Sequence, residues 1–288
     1  MQAIFLADII VTVIATIWLI TACVTDIKKR EVADWLSFSL IAIALTIKTI
    51  TSLLTSKYYY LIYSLFALGI FIFLAFLFYY SKAFGGGDAK LLMAIGACFG
   101  TRPLFATTNT TSLGFSEPFL LTFIINLLFI GALYGILFSI ILAVKNKKKF
   151  LENYKKFNKD NYKIFYFVFS IILFILAFIF KAYNLIILAV IFIILPYVFS
   201  LVRASEQLMI KVKGWRELTE GDWLVQEIKI KNKIIKPTAD GLTKEDISLI
   251  KKANKKVLIR DGLPFVPAFV LALLTSLFIG NLLLLIIV

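Results

Sequence analysis

Residues 59–80 read YYLIYSLFALGIFIFLAFLFYY, without a single charge. Wound as a helix, a stretch of this kind spans the ~30 Å hydrocarbon core of a bilayer, and a soluble core has no use for it. Comparable runs recur at about residues 4–24, 35–54, 89–106, 119–144, 164–180, 182–201 and 264–287, so the pattern predicts about eight crossings. Lys181 interrupts the run over 164–201, and a re-entrant bend there would reduce the count to seven or six. The run over 89–106 carries Gly96, Gly100 and Pro103 and is short enough to be a partial span. Composition agrees: 61% of the 288 residues are hydrophobic and 17% charged, against roughly 45–50% and 25% in soluble chains. Disordered, collagenous, disulfide-scaffold and plain cytosolic-enzyme readings are excluded.

The 31 Lys and Arg outweigh 17 Asp and Glu, for a net charge of +14. In a soluble protein that excess suggests nucleic acid; here its distribution marks a membrane side, and no nucleic-acid partner is expected. With both termini outside, Lys28, Lys29, Arg30, Lys82, Lys90, the basic run over 145–163 and the Lys and Arg of 203–260 all face the cytoplasm. Only Lys48, Lys57, Arg102 and Lys181 do not. This positive-inside pattern predicts a multi-pass protein of the plasma membrane. The first run lacks a basic n-region and reads as a span, not a cleaved signal peptide. Lys48, near an outer helix end, is expected to snorkel. The basic run reads as a solvated loop touching anionic lipid heads, which makes membrane lipid a partner.

Residues 203–262 are charged and punctuated. Strand-like stretches at Trp223 to Ile230, Lys233 to Ile235 and Val257 to Arg260 flank a turn at Asp240-Gly241 and a helix capped by Thr243, with an apolar stripe at Ile247 and Ile250. The expected fold is therefore mostly α: a polytopic transmembrane helical bundle with a small cytoplasmic α+β module before the last span. Residues 1–202 form the helical domain, 203–262 the module and 263–288 the C-terminal helix.

The chain contains no His and two Cys. Ser-His, Cys-His and His-metal chemistry are thus unavailable, and neither a metal site nor a cofactor is expected. Catalysis must rest on carboxylates, Lys, Tyr or backbone. Outside the module and the basic run the acidic residues are Asp8, Asp26, Glu31, Asp34, Asp88 and Glu117. Asp8 and Glu117 belong to the outer side; Asp8 precedes Asp26 by about 27 Å of helix and cannot share its site. The other four fall at the cytoplasmic boundary.

Asp88 lies in Phe84-Gly85-Gly86-Gly87-Asp88-Ala89-Lys90 and Asp26 in Thr25-Asp26-Ile27-Lys28-Lys29-Arg30-Glu31-Val32-Ala33-Asp34-Trp35. Three glycines permit positive φ and close approach of another backbone, and an Asp at a helix start accepts orphan amides. An ordinary glycine turn with an Asp cap has the same local form. Context favours more: if the first and fourth helices pack, Asp26 meets Asp88. Two carboxylates so placed share one proton, polarise a water and protonate a leaving amine. Asp26 sits near the negative end of its own helix and Asp88 at the positive end of another, which separates them as proton holder and base; Lys28, Lys29 and Arg30 push the other way. Asp34 is expected to cap the second span, Cys23 to be small apolar filling, and Lys90 to be a headgroup anchor.

The two stretches resemble the two aspartate motifs of the type IV prepilin peptidase family, the archaeal preflagellin and prepilin branch above all, and the tail from Glu220 through Phe269 extends the likeness over most of the chain. The resemblance implies a GxGD membrane aspartic peptidase with catalytic Asp26 and Asp88 and motif glycines Gly85 and Gly87. It implies cleavage of class III signal peptides from preflagellin or prepilin precursors at the cytoplasmic face, between a charged n-region and an apolar stretch. Bacterial relatives carry an early Cys-rich domain and methylate the new N-terminus; with only a ten-residue loop and no Cys tetrad here, peptidase activity without N-methylation is expected. The presenilin and signal peptide peptidase group is the alternative enzyme class, although its partner aspartate lies inside a span. A cation-binding transporter would need ionisable residues deeper in its spans.

Overall fold

The computed structural model describes residues 2–107, 118–158, 162–182, 184–230, 233–238 and 241–287. In chain order the elements are α1 (Gln2–Lys29), α2 (Asp34–Thr55), α3 (Tyr59–Tyr80), α4 (Gly86–Cys98), α5 (Phe119–Lys145), α6 (Lys147–Phe157), α7 (Tyr162–Ile179), α8 (Asn184–Leu208), β1 (Ile210–Lys213), β2 (Trp223–Leu224), β3 (Ile228–Ile230), β4 (Lys233–Ile235), α9 (Lys244–Ala253), β5 (Val257–Arg260), α10 (Val266–Phe278) and α11 (Leu282–Ile287). The protein is mostly helical, as expected. Among the described residues five helices, α1, α2, α3, α5 and α8, are long and apolar enough to cross a membrane. Two compact units are formed, residues Met1–Leu133 with Gly262–Val288 and residues Tyr134–Asp261, and the chain passes from one to the other within α5.

The first unit is built around α4, which is shorter than the run of 89–106 that predicts it. It ends at Cys98 because Gly100 and Pro103 follow, Pro having no amide for a further helical turn. Thirteen residues rise only about 20 Å, well short of the hydrocarbon core. The composition of α4 suits enclosure: Ala89, Leu91, Leu92, Ala94, Ile95, Gly96, Ala97 and Cys98 are all buried, between α1, α2 and α3. A Cβ on Gly96 would stand 2.6 Å from the Phe71 Cβ, and one on Gly100 would stand 2.4 Å from the Ser64 Cα. Only glycine lets α3 come this close. Phe123 of α5 and Phe269 of α10 complete this core. The expected last span is broken at Gly280, whose φ is +92°. The buried Asn126 amide spans the break, donating to Ser276 Oγ and the Gly280 carbonyl and accepting from the Leu282 amide.

At the end of this unit remote from Asp26, Asp8 and Lys48 form a buried ion pair at 3.8 Å. Asp8 Oδ1 accepts from the Tyr60 hydroxyl at 2.6 Å, Asp8 Oδ2 from the Leu104 amide at 3.1 Å, and the Lys48 ammonium donates to Thr101 Oγ1 at 3.0 Å. Lys48 does not snorkel as expected: it is 1% exposed and lies 3.9 Å from the centroid of the Tyr60 ring. A buried cation is tolerable only where opposite charge and acceptors meet it, and all of them converge here. Glu117 lies outside the described residues.

In the second unit the interrupted run over 164–201 resolves into two helices, α7 and α8, joined at Lys181 in the left-handed region with φ 51°. They pack together, and Ser170 Oγ donates to the Ala189 carbonyl at 2.9 Å. The basic run is not the solvated loop expected. Most of it is α6, whose half-buried Phe150, Asn153, Tyr154 and Phe157 fall at helical spacing, while Lys147, Lys148, Lys149, Lys155 and Lys156 stay exposed. α6 packs on α8, where Asn153 Nδ2 donates to the Ala204 carbonyl at 3.5 Å.

The remainder of this unit is α+β. An antiparallel sheet in the order β1-β5-β2 stands beside the β3-β4 hairpin, and Ile250 of α9 is fully buried with Leu242, Val257 and Ile259. As expected, Thr243 caps α9, its Oγ1 accepting from the Asp246 amide at 3.2 Å. Of the expected turn, Asp240 lies outside the described residues; Gly241, with φ +72°, sits where a Cβ would stand 2.2 Å from the Gly221 carbonyl oxygen. β1 has no counterpart in the sequence reading. It is held to the sheet partly by charge, since Lys213 pairs with Asp222 at 3.1 Å and Asp261 at 3.3 Å, and Lys211 with Asp261 at 2.7 Å.

Two predictions follow from these charges. Lys48→Met strands the buried Asp8 carboxylate and is expected to lower stability in detergent by about 3–5 kcal/mol, whereas adding Asp8→Asn recovers much of the loss. Equal destabilisation of single and double variants in thermal unfolding would refute the pairing. In the module, Lys213 gains carboxylate partners that outweigh its desolvation and raise its pKa, while Lys211 and Lys213 lower that of Asp261. Asp261 then stabilises the fold above its ordinary pKa of 3.8 and loses that contribution as pH falls through the depressed value. Lys213 stabilises below 10.5 and loses its contribution as pH rises through the elevated value. Melting followed against pH should show a plateau between these limits, and Lys213→Met should flatten its alkaline edge.

Candidate active site

α1 closes on a residue in the left-handed region. Arg30 has φ 61° and donates its amide to the Asp26 carbonyl at 2.8 Å. The chain then turns sharply through Glu31, Val32 and Ala33 into α2. This leaves the Asp26 side chain in the last turn of α1, 6% exposed, facing the start of α10. Its Oδ2 accepts from the Val266 amide at 3.0 Å, and the Phe265 amide lies near enough to act on the same carboxylate. Both amides belong to the opening turn of a helix, where backbone donors have no intrahelical partner. The Arg30 guanidinium lies close enough to act electrostatically on Asp26, and its Nη1 donates to the Gly262 carbonyl on the approach to α10.

Asp88 occupies the third position of α4, not the cap; Gly85 is the cap residue. The half-buried Asp88 carboxylate reaches back so that its Oδ2 accepts from the Gly85 amide at 3.1 Å. α1 packs against α4, and Asp88 lies within electrostatic range of Asp26. The two carboxylates singled out in the sequence thus fall on packed helices within electrostatic range of each other, and each accepts a backbone amide at the N-terminal end of a helix.

The glycines work through space and not through φ. Positive φ occurs at Gly221, Gly241 and Gly280 among the described glycines, and at none of the motif. A Cβ on Gly87 would stand 2.8 Å from the Val32 Cβ, so this glycine lets the loop after Asp26 lie against the first turn of α4. A Cβ on Gly85 would meet Asp88 Oδ2 at 3.4 Å, and one on Gly86 would meet Tyr79 Cε2 at 3.7 Å, both tolerable. Beneath the site, buried Phe84 packs its ring 5.3 Å from Phe265 and 5.9 Å from Phe269. The Phe265 ring is itself met so closely by Gly131 that a Cβ there would stand 2.5 Å from its Cζ.

The other boundary acids do not join the pair. Glu31 is exposed. Asp34 is the first residue of α2 and makes no side-chain cap; its Oδ1 binds the Lys90 ammonium at 2.5 Å. Lys90 thus ties α4 to α2 and is not simply a headgroup anchor. Cys23, one turn before Asp26, is half-buried, a free thiol close enough to interact electrostatically with it. Among the described residues no group of three or more His, Cys, Asp or Glu gathers as metal ligands would. The sequence marks Arg30 as a charge acting near Asp26 but does not give the Phe265 and Val266 amides a role at the site: a backbone amide has no residue signature, although Pro267 marks a helix start beside it.

Residues 13–142 match the profile of the type IV leader peptidase family. Over 146 residues the chain is 28% identical to a preflagellin peptidase of Methanocaldococcus jannaschii, covering 48% of this chain and 61% of that protein. The chain thus spans less than two thirds of the curated relative's length. No solved structure matches it significantly. The likeness read from the two motifs is borne out, and Asp26, Gly85, Gly87 and Asp88 all lie within the matched residues.

The Gly87 contact is directly testable. Gly87→Ala should destabilise by about 1–3 kcal/mol through overpacking, Gly85→Ala by distinctly less, and Val32→Ala should restore much of the Gly87→Ala loss. Equal effects of the two glycine substitutions on thermal unfolding would refute the close approach.

Proposed function

We propose that this protein is a membrane aspartic endopeptidase of the prepilin and preflagellin type, with Asp26 and Asp88 as its catalytic pair. The observation that carries the reading is their juxtaposition at the ends of two packed helices, at the junction between apolar helix and charged loop. Two carboxylates brought together at one site favour a single shared proton. The carboxylate polarises a water that attacks the scissile carbonyl, and the carboxyl proton passes to the departing amine as the tetrahedral intermediate collapses. The amides of Val266 and Gly85 fix the two carboxylates in place, so neither must reorient during the reaction.

The basic residues beside the pair support a site at the cytoplasmic face. The substrates are preflagellin or prepilin precursors with class III signal peptides, cut between the charged n-region and the apolar stretch. Product N-termini remain unmethylated, because a short loop stands where bacterial relatives carry a Cys-rich domain. Buried Asp8 and Lys48 do not favour transport: they neutralise each other on α1 and α2 and lie far from the pair.

Each of Asp26→Asn and Asp88→Asn should remove nearly all processing of a class III precursor by the purified protein, and the double variant should be scarcely worse, because groups acting as one unit are non-additive. Asn at position 26 still accepts the Val266 amide, so folding should survive. Asp34→Asn weakens only an exposed ion pair, should cost about 1 kcal/mol or less, and should leave turnover largely intact. N-terminal sequencing of the products gives the cleavage point. Near-normal processing by either folded single variant sinks the assignment.

A further inference from the structure

We infer that Arg30 is a positioning residue of the site: it staples the end of α1 to the approach to α10 and keeps Asp26 the ionised member of the pair. Asp26 is then the base that activates water, and Asp88 holds the proton. This rests on the peptidase reading above and adds to it a division of labour, the reverse of the one that the two helix ends alone suggest.

Arg30 holds both sides of one junction. Its backbone ends α1 in the left-handed region, with φ 61° and its amide on the Asp26 carbonyl at 2.8 Å. A helix that stops in this way usually does so on Gly or Asn. From that turn the side chain crosses to a residue 232 positions on, where Nη1 donates to the Gly262 carbonyl. Gly262 lies four residues before Val266, whose amide binds Asp26 Oδ2 at 3.0 Å. The guanidinium therefore grips the segment that delivers this amide, while the backbone of the same residue grips the turn of α1 that delivers the carboxylate.

The charges around the pair are unequal. Asp26 has the guanidinium within electrostatic range as well as the Val266 amide. Half-buried Asp88 accepts the Gly85 amide, and the charge acting on it is that of Asp26 and of no Lys or Arg among the described residues. Other groups near this end leave the imbalance in place. Cys23 is a free thiol beside Asp26, Asp34 is tied to Lys90, and Lys28, Lys29 and Glu31 are exposed. From α10 come backbone amides and no ionisable side chain. Of two interacting carboxylates, the one with a cation beside it ionises first, and its negative charge keeps the proton on the other. Asp26 thus takes a proton from water as the hydroxyl adds to the scissile carbonyl carbon, and Asp88 gives its proton to the nitrogen as the C–N bond breaks. Return of the proton from Asp26 to Asp88 restores the pair.

The test follows kcat/KM against pH for a class III precursor, with the full chain in lipid nanodiscs. Arg30→Gly suits the left-handed backbone and removes the guanidinium. Its acidic limb should move to higher pH by about half a unit, because a carboxylate that has lost its cation is harder to ionise, while the alkaline limb stays in place. Turnover should fall about tenfold in kcat with little change in KM. Arg30→Lys should keep the acidic limb and recover part of kcat. Arg30 is exposed, so added salt should carry the wild-type acidic limb toward that of Arg30→Gly. Lys29→Gln, which removes an exposed cation one residue away, should leave the profile unchanged. Movement of the alkaline limb in place of the acidic one would make Asp26 the proton donor and overturn the inference. An unaltered Arg30→Gly profile, or an equal shift in Lys29→Gln, would overturn it too. Should Arg30→Gly not fold, the salt series on the wild type decides, an acidic limb indifferent to salt counting against Arg30. Near-normal processing by folded Asp26→Asn would instead overturn the peptidase reading itself.

Discussion

α4 has no free face. A helix of thirteen residues carries Asp88 in its first turn and is enclosed by neighbours that glycines admit to within contact of its backbone. Large side chains at Gly87, Gly96 or Gly100 would push away Val32, Phe71 or the Ser64 backbone respectively. Within a bilayer, where lipid tails are as apolar as leucine, such close contact is a principal source of helix association. The position of Asp88 therefore depends less on its own hydrogen bond than on the crowding that leaves α4 a single place to lie.

The pair draws on two helix beginnings that the sequence reading did not set against each other. Taken alone, Asp26 ends a helix and Asp88 begins one, and the dipoles at those ends suggest unequal partners. Once α10 is present, Asp26 too accepts amides from a helix N-terminus. The asymmetry argued from helix ends is lost, and the difference between the two carboxylates falls to their surroundings: Arg30 near Asp26, and the Gly85 amide on Asp88.

Long apolar helices and the two motifs were legible because they rest on composition and on side-chain chemistry. The N-cap at Thr243 and strand β5 were read for the same reason. What escaped notice depends on partners distant in the chain. Lys48 looks like a snorkelling residue until Asp8, Tyr60 and Thr101 gather round it, and Asp34 looks like a cap until Lys90 arrives from α4. The basic run over 145–163 has the composition of a loop, yet Phe150, Tyr154 and Phe157 give it a face to bury on α8. Among the motif glycines none has positive φ, and the need for room is at Gly87, where Val32 lies against it.

The bond between Asp26 and the Val266 amide joins residues 240 positions apart, and this sets an order of events during synthesis. Asp26 leaves the ribosome early, while most of the chain is still to be made. At about 5–20 residues per second its partner follows only after roughly 10–50 s. Until α10 arrives the carboxylate has only water and Arg30 to meet it. Assembly of the candidate site is then among the last steps in biogenesis, and a nascent or C-terminally truncated chain carries both aspartates without the backbone that aligns one of them.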